Sequence, residues 1–343
     1  MKVLITGGAG FIGCNAANRY LSRGHEVVIL DNLSRPRTEH NLEWLRSRGT
    51  VRFVNLDIAD TDAVEETFQQ HRDVDFILHL AGQVAVTTSV RDPRGDFMAN
   101  ALGTFNLLEA ARKIGTKAPF LYSSTNKVYG GLDDVGVKLE NKHYRFESYP
   151  EGITESTQLD FHSPYGCSKG AADQYVRDYY RIFGLNTIVF RQSCIYGYRQ
   201  FGLEDQGWVA WFTIASQLDQ EISVYGDGMQ VRDVLFVDDL LDAYDSAIQN
   251  PGKSLGQVYN VGGGRANTIS LLDLLGYLET KRGKPLSIKW SDWRPGDQRV
   301  FISDNSKARS QLNWNPGTSW KQGIDKLYGW VEENIHLFTG SPA

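Results

Sequence analysis

The first thirteen residues, MKVLITGGAGFIG, restrict most strongly what this chain can fold into. An apolar run, Lys2–Thr6, stops at glycines and resumes at once as a helical pattern led by Phe11 and Ile12. Gly7, Gly10 and Gly13 lie between and within the two elements. A strand that turns into a helix through glycines leaves the first N–H groups of the helix, and the positive end of its dipole, open to close approach. Such a junction either holds a pyrophosphate or is a tight strand–helix turn and nothing more.

The pattern that follows favours the first meaning. Apolar runs at Lys2–Thr6, Glu26–Asp31, Val51–Asn55, Val74–Leu80, Ala118–Ser123 and Asn186–Arg191 alternate with helical patterns over about 11–23, 60–71, 92–115 and 163–183. Continuous β-branched strands with helices between them predict a parallel sheet covered on both faces, a doubly wound α/β (Rossmann) fold. After residue 192 the pattern loosens. DVLFVDDLLDAYDSAI reads as a strand edge turning into a helix, and VYNVGGG (258–264) as another buried strand. The expected division is a dinucleotide-binding domain over 1–192, with 233–264 returning to it. A smaller interleaved α/β domain over 193–232 and 265–343 binds substrate. Residues 131–157 are polar and read as an irregular surface insertion on the active-site side.

Asp31 ends the second strand, 18 residues after Gly13. A carboxylate there accepts both ribose hydroxyls of an adenosine and repels a 2′-phosphate, so the expected cofactor is NAD rather than NADP. Arg35 and Arg37 argue the other way, although Arg35 is also placed to stack on an adenine. Asn32 and Ser34 share that loop. Asp57 follows the third strand and reads equally as a helix cap or an adenine contact, with Ile58 beside it. HLAGQ (79–83) offers small residues, so Leu80, Ala81 and Gln83 join the cofactor set with Phe11 and Ile12. His79 lies in an apolar run and reads as a core residue.

PYGCSKGAADQYV carries Tyr165 and Lys169 four apart at a helix start, hence on one face. A phenol titrating near ~10 is a poor base at neutral pH unless a neighbouring ammonium and a cationic nicotinamide favour its phenolate. Ser123, Ser124 and Thr125 supply hydroxyls at the end of the fifth strand. Glycine loop, acid, hydroxyl, tyrosine and lysine in this order resemble the extended short-chain dehydrogenase/reductase family, in its nucleotide-sugar branch. RDVLFVDDLLDAY and RPGDQR are similar to its C-terminal signatures. The resemblance implies Thr125, Tyr165 and Lys169 as the catalytic triad. It implies Asn100 as a support for the lysine through water, and Ser123 among the cofactor contacts.

The stretch SSTNKVYG narrows the chemistry. The 4,6-dehydratases of this family carry an Asp–Glu pair after the catalytic hydroxyl, which expels water from the sugar. Here those positions are Asn126 and Lys127. An amide cannot protonate a leaving hydroxyl and an ammonium cannot abstract a proton. Oxidation and return remain; elimination does not. STNKVYG, HSPYGCSKGAADQYVRDYYRIFGLNT, FRQSCIYGYRQFG and EDQGWVAWF are similar to members that invert C2 of a CDP-3,6-dideoxyhexose, which implies a CDP-sugar substrate. On the substrate side the resemblance implies Arg232 for the diphosphate, a further arginine at Arg294 or Arg299, Asp297 for the nucleotide ribose, and Gln206, Gly207 and Trp208 along the diphosphate and base. Cys194 stands where 4-epimerases commonly have asparagine. The resemblance also implies a homo-oligomer, dimer or tetramer, paired through the helices near 92–115 and 163–183. Two other readings stay open. One is a different nucleotide-sugar epimerase or a net dehydrogenase, which releases NADH. The other is a non-catalytic dinucleotide sensor, which has no need of hydroxyl, tyrosine and lysine together.

Composition bears on partners. A net charge of −5 argues against nucleic acid and anionic membranes, and no run approaches the ~18 apolar residues of a membrane span. Cys14, Cys167 and Cys194 have no framework spacing, which fits free thiols in a reducing compartment. No leader-like segment is visible and no metal-ligand spacing occurs, so a cytoplasmic enzyme without a metal is expected.

Overall fold

Val3 and Ile5 of strand β1 (Lys2–Thr6) pack into one hydrophobic core, and Leu4 between them packs into another. Strand β2 (Glu26–Asp31) divides likewise, Val27 and Ile29 against Val28 and Leu30. Successive strand side chains point to opposite faces, so a strand apolar throughout needs cover on both. On one face the cover is α1 (Phe11–Ser22) and α9 (Val237–Gln249); on the other it is α3 (Thr61–Gln70), α6 (Gly103–Ile114) and α7 (Ser163–Phe183).

The architecture comes from a computed structural model, which describes residues 1–294 and 297–339. The central sheet adds β3 (Val51–Asn55), β4 (Phe76–His79), β5 (Phe120–Thr125), β6 (Thr187–Gln192) and β7 (Val258–Val261). Its order is β7-β6-β5-β4-β1-β2-β3, parallel throughout. This is the doubly wound fold expected. The order reverses between β1 and β4, and the crevice beyond their carboxyl ends is where such sheets bind ligands.

The expected helix over 92–115 is three pieces: α5 (Pro93–Phe97), a π-helical turn (Met98–Leu102) and α6. Within residues 1–192 two helices lie outside the sequence expectations, α2 (Thr38–Arg48) and the short α4 (Val86–Arg91). The segment 131–157 is not irregular. Val137–Glu140 pairs antiparallel with His143–Phe146, and Tyr144, Phe146 and Ile153 pack against Val231, Val300 and Phe301. Its alternate buried side chains are separated by charged ones, which masks them in the sequence.

Beyond β6 the chain builds α8 (Trp208–Gln217) and three small sheets, one of them pairing Ile195–Tyr196 with Leu235–Phe236. Ile222–Tyr225 pairs with Ile288–Ser291, and Val231–Asp233 lies between Thr268–Ser270 and Val300–Phe301. A third core fills this part. Among the described residues no helix is long and apolar enough to cross a membrane.

Candidate active site

The glycine loop fits tightly against the end of β4. Gly7 has φ +68°, and a Cβ there would lie 2.7 Å from the Ala81 nitrogen; one on Gly13 would lie 2.2 Å from the Gly7 oxygen. Gly10 caps α1 without a side chain, and a Cβ on it would meet the Gly7 oxygen alone, at 3.1 Å. The first amides of α1 therefore open on the crevice, with Phe11 and Ile12 half-buried in the same turn. Asp31 braces this loop. Its carboxylate accepts from the N–H groups of Ala9 (3.0 Å) and Leu33 (2.9 Å). Burial raises its pKa and those amides oppose the rise. Each oxygen keeps acceptor capacity for a ribose hydroxyl.

The other cofactor candidates divide. The Leu80 and Ala81 N–H groups both donate to Thr6 Oγ1 (3.2 Å), which fixes the strand end beside Gly7. Asn32 Nδ2 donates to Asp57 (3.2 Å), and Ser34 lies exposed on the same loop. Asp57 is not the cap of α3: Asp60 is, accepting from the Ala63 N–H, while Asp57 accepts from Ala59 (2.9 Å) in a turn of its own. Ile58 packs into the core under Gly103. Gln83 Nε2 donates to the Ala85 carbonyl (2.7 Å) and to Asp96 (2.8 Å), so this side chain shapes the approach to α4. Arg35 hydrogen-bonds the side chain of Gln206, a residue expected on the substrate side. His79 is a core residue, held between the hydroxyls of Thr6 (2.7 Å) and Thr104 (2.9 Å).

The end of β5 faces the first turns of α7. Of the three candidate hydroxyls, Ser124 is engaged by Asp173 (2.7 Å), whereas Thr125 Oγ1 donates to Asn126 Oδ1 (3.4 Å) and lies near enough to the Tyr165 hydroxyl to lower its pKa. Burial pushes the Tyr165 phenol up to about 12; the Thr125 hydroxyl works against this and the charge of Asp96 works with it. Lys169 Nζ donates to the Ser123 carbonyl (2.6 Å) and lies 4.3 Å from the centre of the Tyr122 ring. Burial brings its ammonium down to about 7, with Asp173 and Asp96 opposing. The ammonium expected to favour the Tyr165 phenolate is turned toward the backbone of Ser123.

Asp96, Ser168 and Asp173 were missed. Ser168 donates to Asp96 (2.5 Å), and Asn100 Nδ2 donates to both Asp96 (3.0 Å) and Ser168 (3.2 Å). The π-helical turn places Asn100 there, and its Oδ1 is buried without a partner among the described residues. Asp173 also receives a two-pronged bond from the buried Arg191 guanidinium (2.9 Å each). Its position four residues after Lys169, on the same helical face, was a usable signal; Asp96 offered none.

On the opposite wall Arg232 pairs with Asp297 at 2.8 Å. Arg294 stacks on Tyr225, 3.8 Å from the ring centre, and the exposed Arg299 lies 5.2 Å from that of Tyr144. Pro295 and Gly296 of RPGDQR lie outside the described residues. Gly207, with φ +81°, caps α8, and the Trp208 indole that follows lies near enough to Cys194 to oppose the rise that burial gives its pKa. Cys194 has φ +43°, and all three cysteines are unbridged. Among the described residues no group of three metal-ligating side chains gathers.

The sequence model of the GDP-mannose 4,6 dehydratase family matches residues 4–327. The CDP-paratose 2-epimerase of Salmonella typhi is 46% identical over 336 residues, 96% of this chain and 99% of that protein. The crystal structure of UDP-glucose 4-epimerase from Thermotoga maritima with UDP-glucose superposes with a TM-score of 0.83 at 31% identity, over 98% of this chain and 100% of that one. The Thermus thermophilus UDP-glucose 4-epimerase in complex with NAD gives 0.82 at 30%, over 97% and 99%. The chain belongs to the GDP-mannose 4,6 dehydratase family, within the nucleotide-sugar branch of the extended short-chain dehydrogenases/reductases.

Proposed function

We propose that the chain inverts C2 of a CDP-3,6-dideoxyhexose, converting CDP-paratose to CDP-tyvelose, with resident NAD. The observation that carries this reading is the 46% identity, across nearly the whole chain, to a CDP-paratose 2-epimerase. The site supports it from the residues upward. Thr125, Tyr165 and Lys169 serve oxidation at a sugar carbon, while Asn126 and Lys127 replace the acid and base an elimination requires.

The glycine loop suits a dinucleotide, because the amides of α1 open beside a carboxylate already fixed at the end of β2. Gly7, Gly10, Phe11, Ile12 and Gly13 would hold the pyrophosphate, and Asp31 the ribose hydroxyls. Asn32, Ser34, Arg35, Asp57 and Ile58 would flank the adenosine. Leu80, Ala81, Gln83, Asn100, Ser123, Tyr165 and Lys169 would border the nicotinamide half. Bound NAD supplies reversible oxidation at C2, through a planar 2-keto sugar. Thr125 holds the C2 oxygen, and Tyr165 takes its proton and later returns it. Lys169 holds the Ser123 backbone at the strand end, so the hydroxyl and the phenol stay in register.

Inversion requires the sugar to turn between removal and return at C2. Arg232, Arg294 and Arg299 anchor the diphosphate, Asp297 the ribose, and Gln206, Gly207 and Trp208 the diphosphate and base. Cys194 makes a weaker hydrogen-bonding neighbour for the sugar than an asparagine, so the ring is held by few bonds. The division into an NAD-binding unit (1–192 with 233–264) and a substrate unit (193–232 with 265–343) agrees with the pairing of β7 to β6. Exposed Phe105, Tyr175, Ile182 and Phe183 on α6 and α7 favour a homo-oligomer paired through these helices. The acidic net charge favours small-molecule over nucleic-acid partners, and a cytoplasmic setting suits free thiols.

The test is incubation of the purified protein with a panel of CDP-, UDP- and dTDP-sugars, with products read by proton NMR. Inversion of CDP-paratose at C2 is expected. Turnover confined to C4 of UDP- or dTDP-sugars, or stoichiometric release of NADH, overturns the reading.

A further inference from the structure

Lys127 has a fixed base and an unpaired tip. Its N–H donates to Thr125 Oγ1 (3.2 Å), in the 3₁₀ turn Asn126–Tyr129 that directly follows β5. Val128 and Tyr129, the next two residues, are buried in a hydrophobic cluster, and Gln298 donates to the Gly130 carbonyl (2.6 Å). The turn is thus tied to the segment that carries Asp297. Yet the Lys127 ammonium makes no hydrogen bond and no ion pair among the described residues. Burial lowers its pKa, Arg232 lowers it further, and Asp297 and Cys194 act the other way. Those neighbours belong to the opposite wall of the crevice. Asp297 is already paired with Arg232 at 2.8 Å. The carboxylate on this side is thus already taken by Arg232, and Lys127, two residues past the catalytic threonine, has no ion-pair partner among the described residues. The side chain is half-buried and its ammonium, reached by water and without an acceptor of its own, is placed to take up an anionic group of a ligand.

The chemistry of the substrate says which acceptor. In a nucleoside-diphosphate sugar the β-phosphate is joined through oxygen to C1. A reacting C4 lies across the ring from that phosphate, whereas a reacting C2 is the next carbon. With hydroxyl and phenol fixed, moving the reaction from C4 to C2 brings the β-phosphate toward the triad by about the width of the ring. A C2 reaction therefore calls for a cation close behind the catalytic hydroxyl, where a C4 reaction does not. We propose that Lys127 binds the β-phosphate beside Arg232, and that this second grip suits the site to reaction at C2. The proposal rests on the reading of the chain as a C2 epimerase. It gives the turning sugar a pivot at the C1 oxygen, one carbon from the atom that inverts.

CDP and CMP differ by the β-phosphate, so their binding separates this role from general damage. The experiment is calorimetric titration of the NAD-loaded wild-type protein, K127M and K127R with each nucleotide. K127M is expected to weaken CDP about tenfold and leave CMP within about twofold, a size ordinary for one charge-assisted bond. K127R is expected to recover most of the CDP affinity. K127Q replaces K127M should the latter not fold. Equal loss for CDP and CMP, or no loss for either, overturns the proposal. So does a fall in kcat with CDP binding unchanged, which would assign the ammonium to a sugar oxygen. Failure of the wild-type protein to bind any cytidine nucleotide counts against the proposed substrate instead; the UDP and UMP pair then reads Lys127 in the same way.

Discussion

Arg35, on the loop after β2, hydrogen-bonds Gln206, on the segment before α8, across 171 positions of sequence. The first residue stands in the proposed cofactor set and the second in the proposed substrate set. The bond is a strut between the two sides of the crevice. Gln206 is further steadied by its backbone pairing with Leu203, and the neighbouring Asp205 accepts from Thr87 Oγ1 (2.9 Å). Arg35→Ala and Gln206→Ala should each raise the substrate KM and hasten loss of NAD, by about 1.5–3 kcal/mol for a hydrogen bond to a charged group. The double variant should cost little more than either single one. Fully additive effects on KM would show that the two side chains act separately.

Tyr165→Phe should abolish turnover while the protein still purifies with NAD, because the ring remains and the proton acceptor is lost. The pH profile tests the same assignment more finely. The phenol lies at about 12 in the cofactor-free protein, so the phenolate fraction, and with it kcat/KM, should rise with pH across the neutral range. The nearby Thr125 hydroxyl lowers that pKa. Thr125→Ala should therefore move the rising limb to higher pH as well as lower its plateau by about 10²-fold or more. A limb that stays in place in Thr125→Ala would remove the threonine from contact with the phenol.

What could be read in the sequence, and what could not, follows one physical line. β1, β2 and α7 have the bounds expected of them, because a buried strand or a long amphipathic helix writes its environment into consecutive residues, and the half-exposed edge strand β3 is marked by its own apolar run. α2 buries Thr38, Asn41, Leu42 and Leu45, half of them polar, and so carried no apolar period. The second strand of the hairpin at 137–146 buries only Tyr144 and Phe146, on either side of the exposed Arg145, and their partners Val231, Val300 and Phe301 are remote in sequence. The π-helical turn has no compositional mark, yet it is what brings Asn100 to Asp96 and Ser168. The site residues that sequence motifs supplied lie at strand ends and on one helix face. Asp96, which polarises both Tyr165 and Lys169, lies on a short helix and was silent.

Lys169 should make the cofactor-free protein less stable at neutral pH. Its ammonium falls to about 7 on burial, from an ordinary 10.5. Between those values the unfolded chain binds the proton and the folded protein releases it. Stability therefore rises with pH through the window from about 7 to 10.5, and the full cost is felt at and below pH 7. Lys169→Met removes the ammonium. Without NAD this variant should be more stable than the wild type by a margin on the order of 1–3 kcal/mol at pH 7 and below, read as a higher thermal midpoint, and the gap should close toward pH 10.5. With NAD restored, the variant should be inactive. A gap independent of pH would mean that packing, not the buried charge, sets the difference.

Arg232→Ala should weaken CDP by about 1.5–3 kcal/mol, the range for a lost bond to a charged group, and raise KM alike. It also leaves Asp297 without the partner now 2.8 Å away, in a wall the substrate must enter. Asp297→Asn in the same background should therefore restore part of the CDP affinity, by removing a carboxylate that repels the diphosphate. Unchanged CDP binding in Arg232→Ala would take the arginine out of the site.

The route of the hydrogen at C2 is the sharpest test of the chemistry. If Tyr165 handles the hydroxyl proton and Thr125 holds the oxygen, neither residue ever removes hydrogen from carbon. The atom on C2 must then leave and return within one closed site, on opposite faces of a sugar that turns about its anchored diphosphate. Substrate deuterated at C2 should accordingly give product that keeps its deuterium at C2 in ordinary water, as read by proton NMR and mass. A proton-abstracting epimerase would exchange the label with solvent, because a phenol or carboxylate that collects it equilibrates with water. Weakening the diphosphate grip, as in Arg232→Ala, should lower the rate of inversion without releasing the label. Loss of deuterium at the rate of turnover would exclude direct return at C2 and reassign Tyr165 to carbon-acid chemistry.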